Sequence, residues 1–273
     1  QKITLRKSLP NGKREQITLK DIDIDGIDIK ADEFYDLLSK VEKKEDIPST
    51  SAPAIGDIMD TIEKFIEEGY TDIIHFPISF KLSSTGQNVI SVASEYADKI
   101  NVHVVDTKVA CYLQGYLAIN AKEMAERGAT VEEILQRSYQ LIDNIQTYFV
   151  VEDLNYLVKN GRLSGMAGFM GSLLKIKPVL ELDEEGRIVT KEKVRTYSKA
   201  VERATELLLE YIDGKEKIKL IGFHSLKEDV VKEVIRKIQE VRPDVVDVEI
   251  HFITPAVGAH IGAGVIGIGA IIL

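Results

Sequence analysis

Two hydroxyl-rich segments and one isolated histidine carry the side chains of this sequence that are best suited to binding a ligand. The segments are "STSAP" at residues 49–53 and "KLSSTGQ" at residues 81–87, and the histidine is His260 in "AVGAHIGAG". Hydroxyls that precede a helix cap its first N–H groups, and the remaining free N–H groups there bind anions. Each segment is therefore open to two interpretations, an ordinary helix cap or part of an anion site.

The anion that these segments suit best carries a single charge. Both offer neutral donors, with only Lys81 as a nearby cation, and no Gly-x-x-x-x-Gly-Lys-Ser/Thr phosphate loop occurs in the chain. A polyphosphate usually recruits several cations or Mg²⁺, whereas hydroxyls and helix N-termini fit a carboxylate. We therefore expect a carboxylate at these segments rather than a nucleotide.

His260 lies in a C-terminal stretch, residues 253–273, that contains five glycines and no Asp, Glu, Lys or Arg. A core histidine bonded to backbone is the ordinary interpretation of such a residue. The flanking glycines also allow close backbone approach, and an imidazole donates a hydrogen bond to oxygen at neutral pH. The stretch is about long enough to span a membrane. Pro255, the glycines and the lack of flanking cations instead favour short buried strands broken by glycine turns.

Motifs for metal binding and catalysis are missing from the sequence. The five histidines show no His-x-x-x-His or Glu-x-x-His spacing, and the single cysteine, Cys111, excludes a Cys-x-x-Cys pair. No Gly-x-Ser-x-Gly, Cys/His signature or carboxylate pair is present. We therefore expect no metal, no cofactor and no catalytic residues, and we keep an enzyme as an alternative.

A third segment, "GMAGFMGSLL" at residues 165–174, combines glycines with two of the four methionines. It fits a packed helix whose glycines allow a close crossing, and it also fits the wall of an apolar slot, because methionine adapts to irregular ligands. Cations flank it at Lys159, Arg162, Lys175, Lys177 and Arg195. They are either solvated or a patch that suits an acidic partner or a lipid surface.

Strands and helices alternate along the chain, which predicts an α/β fold with βαβ units and a mostly parallel sheet. The predicted strand at residues 71–79 leads directly into "KLSSTGQ", so this segment lies at the carboxyl end of a strand, where open α/β sheets bind ligands. The pattern changes after "QTYFVV". We place a domain boundary near residue 150, which gives domains at residues 1–150 and 151–273 without a flexible linker.

Composition limits the partners and the compartment. The chain has 35 basic and 44 acidic residues, a net charge of −9, and such a chain repels nucleic acid, so we expect no nucleic-acid partner. The polar, basic start does not resemble a signal peptide. One cysteine excludes an internal disulfide and fits a reducing compartment. We therefore expect a cytoplasmic protein.

Together, several motifs resemble the DegV family of bacterial fatty-acid-binding proteins, over roughly Ile22 to Leu273. They occur in the family's order: "IPSTSAPAIG", "ISFKLSSTGQ", "VHVVDTKVA", "DLNYLVKNGRLSG", "LLKIKPVL", "KVRT" and "TPAVGAHIGAGVIGIG". The resemblance implies an N-terminal three-layer α/β/α domain with a mainly parallel sheet and a C-terminal α/β domain with a mixed sheet. It also implies a long-chain fatty acid whose acyl chain is held between the domains.

The chain looks most similar to the binding subunits of bacterial fatty acid kinase. That resemblance implies that a separate kinase subunit makes acyl phosphate from ATP and the bound fatty acid, and that the binding subunit has no catalytic residues. Thr50, Ser83 and His260 match the family's carboxylate ligands. Arg162 and Arg195 match arginines near the pocket rim, where contact with the partner or transiently with a membrane surface is expected.

The chain departs from the family pattern at two places. Ser84 stands where the family has a glycine and Gly86 where it has an aromatic residue, and we expect the strand with which the family usually begins to be absent or truncated. Two other functions remain as alternatives. One is a small-molecule kinase or hydrolase that uses the hydroxyl segments, and the other is a regulatory module that senses lipid.

Overall fold

The computed structural model describes residues 3–8, 14–17, 29–41, 44–165 and 176–273. Both strands and helices are present throughout. The strands, in chain order, are β1 (Ile3–Ser8), β2 (Arg14–Ile17), β3 (Ser49–Thr50), β4 (Asp72–His75), β5 (Asn101–Val104), β6 (Ile145–Val150), β7 (Val179–Leu182), β8 (Ile188–Glu192), β9 (Ile218–His224), β10 (Asp247–Phe252) and β11 (Ile266–Ile272).

The α-helices alternate with these strands over most of the described chain. They are α1 (Ala31–Leu38), α2 (Ile55–Glu67), α3 (Thr85–Ala93), α4 (Cys111–Glu126), α5 (Val131–Ile142), α6 (Asn155–Lys159), α7 (Tyr197–Ile212), α8 (Glu228–Val241) and α9 (Pro255–Ile261). Most of the segment "GMAGFMGSLL", together with Lys175, lies outside the described residues, and the two interpretations of that segment remain predictions.

Contacts between residues divide the chain into two compact units that differ from the predicted domains. Unit 1 comprises residues 1–51, 146–182 and 188–273, and unit 2 comprises residues 52–145 and 183–187. The predicted domain boundary near residue 150 lies close to the junction between the units at residue 145. The first 51 residues nevertheless belong with the C-terminal half, because α1 buries Phe34, Tyr35 and Leu38 in one cluster with Tyr156 and Ala259.

Unit 1 contains a mixed sheet with the strand order β10-β9-β11-β6-β7-β8 among the described strands. β9 pairs parallel to β10 and antiparallel to β11. β7 pairs antiparallel with both β6 and β8, and β8 lies at one edge of the sheet among the described strands. Helices α7 and α8 bury Leu208 and Ile238 in the main core of the unit with Leu220 of β9. The mixed sheet confirms the expected fold class.

Unit 2 contains the parallel pair β4 and β5, in which Asp72 aligns with Asn101 and His75 with Val104. Helices α2 and α3 pack their apolar faces together in a core that includes Ile58 and Val92. The parallel pair agrees with the predicted βαβ organisation. β4 ends at His75 instead of near Ser79, because Pro77 has no N–H group to continue a ladder.

The C-terminal stretch forms one helix and one strand, so the prediction of strands alone was wrong for its first half. α9 begins with Pro255 after Thr254, a favoured order at a helix start, and ends where Gly262 adopts a φ of +82°. β11 then runs through the interior of the mixed sheet and is buried along most of its length. Within the described ranges, no helix is both long and apolar enough to cross a membrane.

Candidate functional site

Thr50 and His260, predicted as ligands of one carboxylate, are brought together in unit 1. The Thr50 Oγ1 atom lies 2.8 Å from the His260 Nε2 atom in a partly buried hydrogen bond. Thr50 lies on β3, opposite Ile3 of β1, and His260 lies near the end of α9. A contact between residues 210 positions apart requires the fold, and the sequence predicted both members without predicting the bond between them.

The helix-cap interpretation of "STSAP" is wrong. Helix α2 begins at Ile55, its N-cap is Ala54, and that cap makes no side-chain hydrogen bond. Pro53 lies between the hydroxyls and this helix start. The hydroxyl of Thr50 is instead used by His260.

The His260 imidazole is held neutral at ordinary pH. Burial, and after it the positive charge of Arg162, lower the pKa of His260 to about 4. A neutral imidazole has one N–H donor and one acceptor nitrogen. The Nδ1 atom is buried and has no hydrogen-bond partner among the described residues. If the Thr50 hydroxyl donates to Nε2, Nδ1 carries the proton and remains available as a donor.

Arg162 supplies positive charge beside this pair. The side chain is half-buried, and its Nη1 atom donates a 2.5 Å hydrogen bond to the carbonyl oxygen of Asn160. The positive charge of Arg162 contributes to the lowered pKa of His260, so the guanidinium lies within electrostatic range of the imidazole. The site therefore combines a hydroxyl, a neutral imidazole and a nearby cation, which together favour an anionic ligand over a cationic one.

The segment "VKNGR" at the end of α6, residues 158–162, contacts both the chain just before Thr50 and the chain just before His260. The Lys159 Nζ atom donates to the carbonyl oxygen of Ile47 over 2.8 Å. The Asn160 side-chain amide lies 3.4 Å from the carbonyl oxygen of Pro48 and 3.1 Å from that of Ala259. Gly161 then adopts a φ of +66°, a conformation that favours glycine. Sequence reasoning singled out Arg162 here and missed Asn160.

Ser83, the third predicted ligand, lies in unit 2 before α3. Its Oγ atom lies 2.9 Å from the Thr85 Oγ1 atom and accepts the Thr85 N–H at 3.3 Å. The N-cap residue of α3 is Ser84, which makes no side-chain cap bond. The loop is fixed by buried Ser79, whose hydroxyl donates to the carbonyl oxygen of Gly186 and accepts the Lys81 N–H.

Comparisons with known proteins identify the family of this chain. A model for the family described as "Uncharacterised protein, DegV family" matches residues 16–273. The chain belongs to the DegV family. A DegV domain-containing protein from Staphylococcus aureus is 33% identical over 242 residues, which cover 89% of this chain and 82% of the relative.

Solved DegV-family structures share the fold of the whole chain. A fatty acid binding DegV family protein from Streptococcus agalactiae superposes with a TM-score of 0.82 at 29% identity, covering 98% of this chain and 89% of that one. DegV from Bacillus subtilis, a fatty acid binding protein, gives a TM-score of 0.82 at 27% identity, with coverage of 100% and 91%.

The Phe80 ring lies against Gly86 in the loop that leads into α3 of this DegV-family chain. A Cβ atom added to buried Gly86 would lie 2.1 Å from the Cε1 atom of Phe80. The half-buried Phe80 ring thus occupies the space next to α3 that a side chain at position 86 would need.

Arg195, the second arginine matched to the DegV pattern, is exposed between β8 and α7 of unit 1. Its exposure suits a surface contact. Among the described residues, no cluster of three or more His, Cys, Asp or Glu side chains could hold a metal ion.

Proposed function

We propose that this DegV-family chain binds a long-chain fatty acid and holds its carboxylate with Thr50 and His260. The observation that carries the proposal is the 2.8 Å Thr50–His260 bond together with the buried, unpartnered Nδ1 atom of His260. Relatives from Streptococcus agalactiae and Bacillus subtilis, similar along the whole chain, are fatty acid binding proteins. Ser83 is proposed as a third ligand on the family resemblance.

The chemistry of the pair favours a carboxylate over other polar groups. In the tautomer with the proton on Nδ1, the Thr50 hydroxyl donates its single proton to Nε2 and so fixes the imidazole, and the Nδ1–H group of His260 donates to a carboxylate oxygen. Hydrogen bonds to a charged acceptor are stronger than those to a neutral one. The charge of Arg162 nearby stabilises the ionised acid without requiring a second cation.

The acyl chain supplies most of the affinity in this proposal. Burying a chain of about 16 carbons at ~0.8 kcal/mol per CH₂ gives a gross gain on the order of 10 kcal/mol. Ordering of the ligand and of side chains offsets part of this gain. The polar residues then decide which end of the acid is held, and they contribute less to total affinity.

We further propose that the bound carboxylate is presented to a separate kinase subunit. A carboxylate oxygen attacks the γ-phosphorus of ATP, the bond to the β-phosphate oxygen breaks, and acyl phosphate and ADP form. The kinase would supply the nucleotide site and Mg²⁺, because this sequence has no phosphate loop. Arg162 and Arg195 are proposed as contacts to that partner or, transiently, to a membrane surface, and the complex is proposed to act in the cytoplasm.

Two measurements separate this proposal from its alternatives. The purified protein is denatured, extracted and analysed by mass spectrometry, and the proposal predicts about one fatty acid per chain. The isolated protein is then incubated with ATP and fatty acid, and ADP release is followed. The proposal predicts release only when a fatty acid kinase subunit is added. Turnover by the isolated chain would identify an enzyme, and binding without support of any kinase would identify a lipid sensor.

A further inference from the structure

The Asn160 side chain bridges the two segments that carry Thr50 and His260. Its amide nitrogen is 3.1 Å from the carbonyl oxygen of Ala259, the residue before His260. The same nitrogen is 3.4 Å from the carbonyl oxygen of Pro48, two residues before Thr50. An amide nitrogen carries two N–H groups, so one Asn side chain has the donors for both acceptors.

The backbone of this region holds the amide in place. The Asn160 N–H donates to the carbonyl oxygen of Tyr156, and the N–H of Arg162 donates to that of Leu157, which ties the turn to α6. Gly161 makes the turn possible with its φ of +66°. The amide is therefore presented by a short helix and a tight turn and not by a loose loop.

A second contact of α6 fixes the same C-terminal end of α9, the helix that carries His260. A Cβ atom on Gly262 would lie 2.9 Å from the Cδ2 atom of Tyr156, so the Tyr156 ring packs directly on the end of α9. Lys159 adds the bond to the carbonyl oxygen of Ile47. Contacts from α6 and its turn thus reach α9 near both Ala259 and Gly262, and reach the chain ahead of Thr50 twice.

We infer that Asn160 is a positioning residue that holds the Thr50 strand and the His260 helix in the register that forms the carboxylate site. The inference rests on the function proposed above, because positioning Thr50 and His260 matters only if they bind a carboxylate. Without the two amide bonds, the carbonyl groups of Pro48 and Ala259 lose their shared donor. The distance between Thr50 Oγ1 and His260 Nε2 is then no longer set.

The test substitutes Asn160→Leu, which keeps the branched shape and removes both N–H donors. Asn155→Leu, at the other end of α6, is the matched control, because within the described part of the chain the Asn155 amide bonds with Asp153 in its own turn. Dissociation constants are measured for palmitate and for hexadecanol. The ratio of the two dissociation constants reports how strongly the carboxylate is bound, whereas general destabilisation of the protein weakens the binding of both ligands alike.

Asn160→Leu is expected to lower the preference for palmitate over hexadecanol roughly three- to tenfold, the size of one ordinary hydrogen bond. Hexadecanol binding and the Asn155→Leu variant are expected to stay close to wild type. Asn160→Gln, which keeps both donors on a longer side chain, is expected to fall between the two. An unchanged preference, or equal losses for both ligands, would overturn the positioning role.

A second readout needs no ligand. The imidazole nitrogen signals of His260 in the ligand-free protein report its tautomer and its bond to Thr50. They are expected to shift in Asn160→Leu and in Asn160→Gln to a smaller extent, and to remain in place in Asn155→Leu. Unshifted signals would contradict the positioning role of Asn160 even if the wild type proves not to bind fatty acid. The two proposals can therefore fail separately.

Discussion

The Tyr35 hydroxyl donates a buried 3.1 Å hydrogen bond to the carbonyl oxygen of Ile253, a residue 218 positions away. Ile253 lies two residues before the helix that carries His260, so this bond fixes the approach of the chain to α9. The same hydroxyl oxygen would lie only 2.4 Å from a Cβ atom on Gly258. Tyr35 and α9 thus pack at a distance that requires glycine at position 258.

Gly258→Ala is expected to lower the free energy of unfolding by about 1–3 kcal/mol, as overpacking of a core usually does. The added methyl group collides with a Tyr35 ring that is fully buried and has no free space to occupy. Urea unfolding checks the value. Gly56→Ala in α2 is the control, because nothing lies within 4 Å of its added Cβ, and it is expected to be neutral or mildly stabilising. Equal stability of the two variants would contradict the close packing.

The stability contributed by His260 is expected to disappear in acid. Burial lowers the pKa of His260 to about 4 in the folded protein, whereas an unfolded histidine has a pKa of about 6.5. Between these values the unfolded chain binds more protons, so stability is present above about pH 6.5 and is lost as pH falls toward about 4. The loss is on the order of 3 kcal/mol.

Unfolding free energies of the wild type and of His260→Gln, measured from neutral pH to acid, isolate this contribution. Burial also lowers the pKa values of His75 and His224, so the wild-type curve alone mixes several histidines. The difference between the two proteins is expected to shrink across this range. Curves that stay parallel would show that His260 titrates normally in the folded state.

Phe80 and Gly86 are expected to be energetically coupled. Gly86→Ala alone forces the Phe80 ring to move, because the added Cβ would lie 2.1 Å from the ring. We expect a cost of about 1–3 kcal/mol, which falls when Phe80→Ala has already removed the ring. A double-mutant cycle in urea measures the coupling. A coupling energy near zero would show that the ring does not occupy the space beside residue 86.

His260→Ala is expected to impair phosphorylation of a bound fatty acid more than it impairs binding. Loss of one bond to a carboxylate weakens binding by about tenfold, because the acyl chain supplies most of the affinity. A carboxylate displaced by about 1 Å reacts on the order of 100-fold more slowly. Rates with a fatty acid kinase subunit and separate binding measurements give both values. His251→Ala on the edge strand β10 is the control, and equal rates for both variants would remove His260 from the carboxylate site.

Local signals in the sequence predicted much of the fold. Thr130 and Glu133 have the spacing of a capping box, and the box is formed at the start of α5, with the Glu133 carboxylate accepting the Thr130 N–H at 2.8 Å. The same kind of signal was missed at α9, where Thr254, Pro255 and Gly262 mark a helix start and end. The apolar composition of the C-terminal stretch concealed them.

The candidate site was predicted only as far as residue types and motifs reach. Thr50 and His260 stand out by type, and the structure brings them together. Asn160 has no such signal, because its amide bonds to carbonyl oxygens about a hundred residues away and any residue offers a carbonyl. The membership of α1 in unit 1 was missed for the same reason, since Tyr35 reaches Ile253 through the fold and not through spacing.

Carbon-13 NMR of palmitate labelled at its carboxyl carbon, bound to the protein and titrated with acid, tests the central claim most directly. The account predicts one bound carboxyl signal that stays ionised to lower pH than in lipid vesicles, because hydrogen bonds and a nearby cation favour the charged form. It also predicts that Thr50→Val and His260→Gln each move this signal and raise the pKa of the acid. A bound signal that neither substitution changes would show that the carboxylate is held elsewhere and would contradict the account.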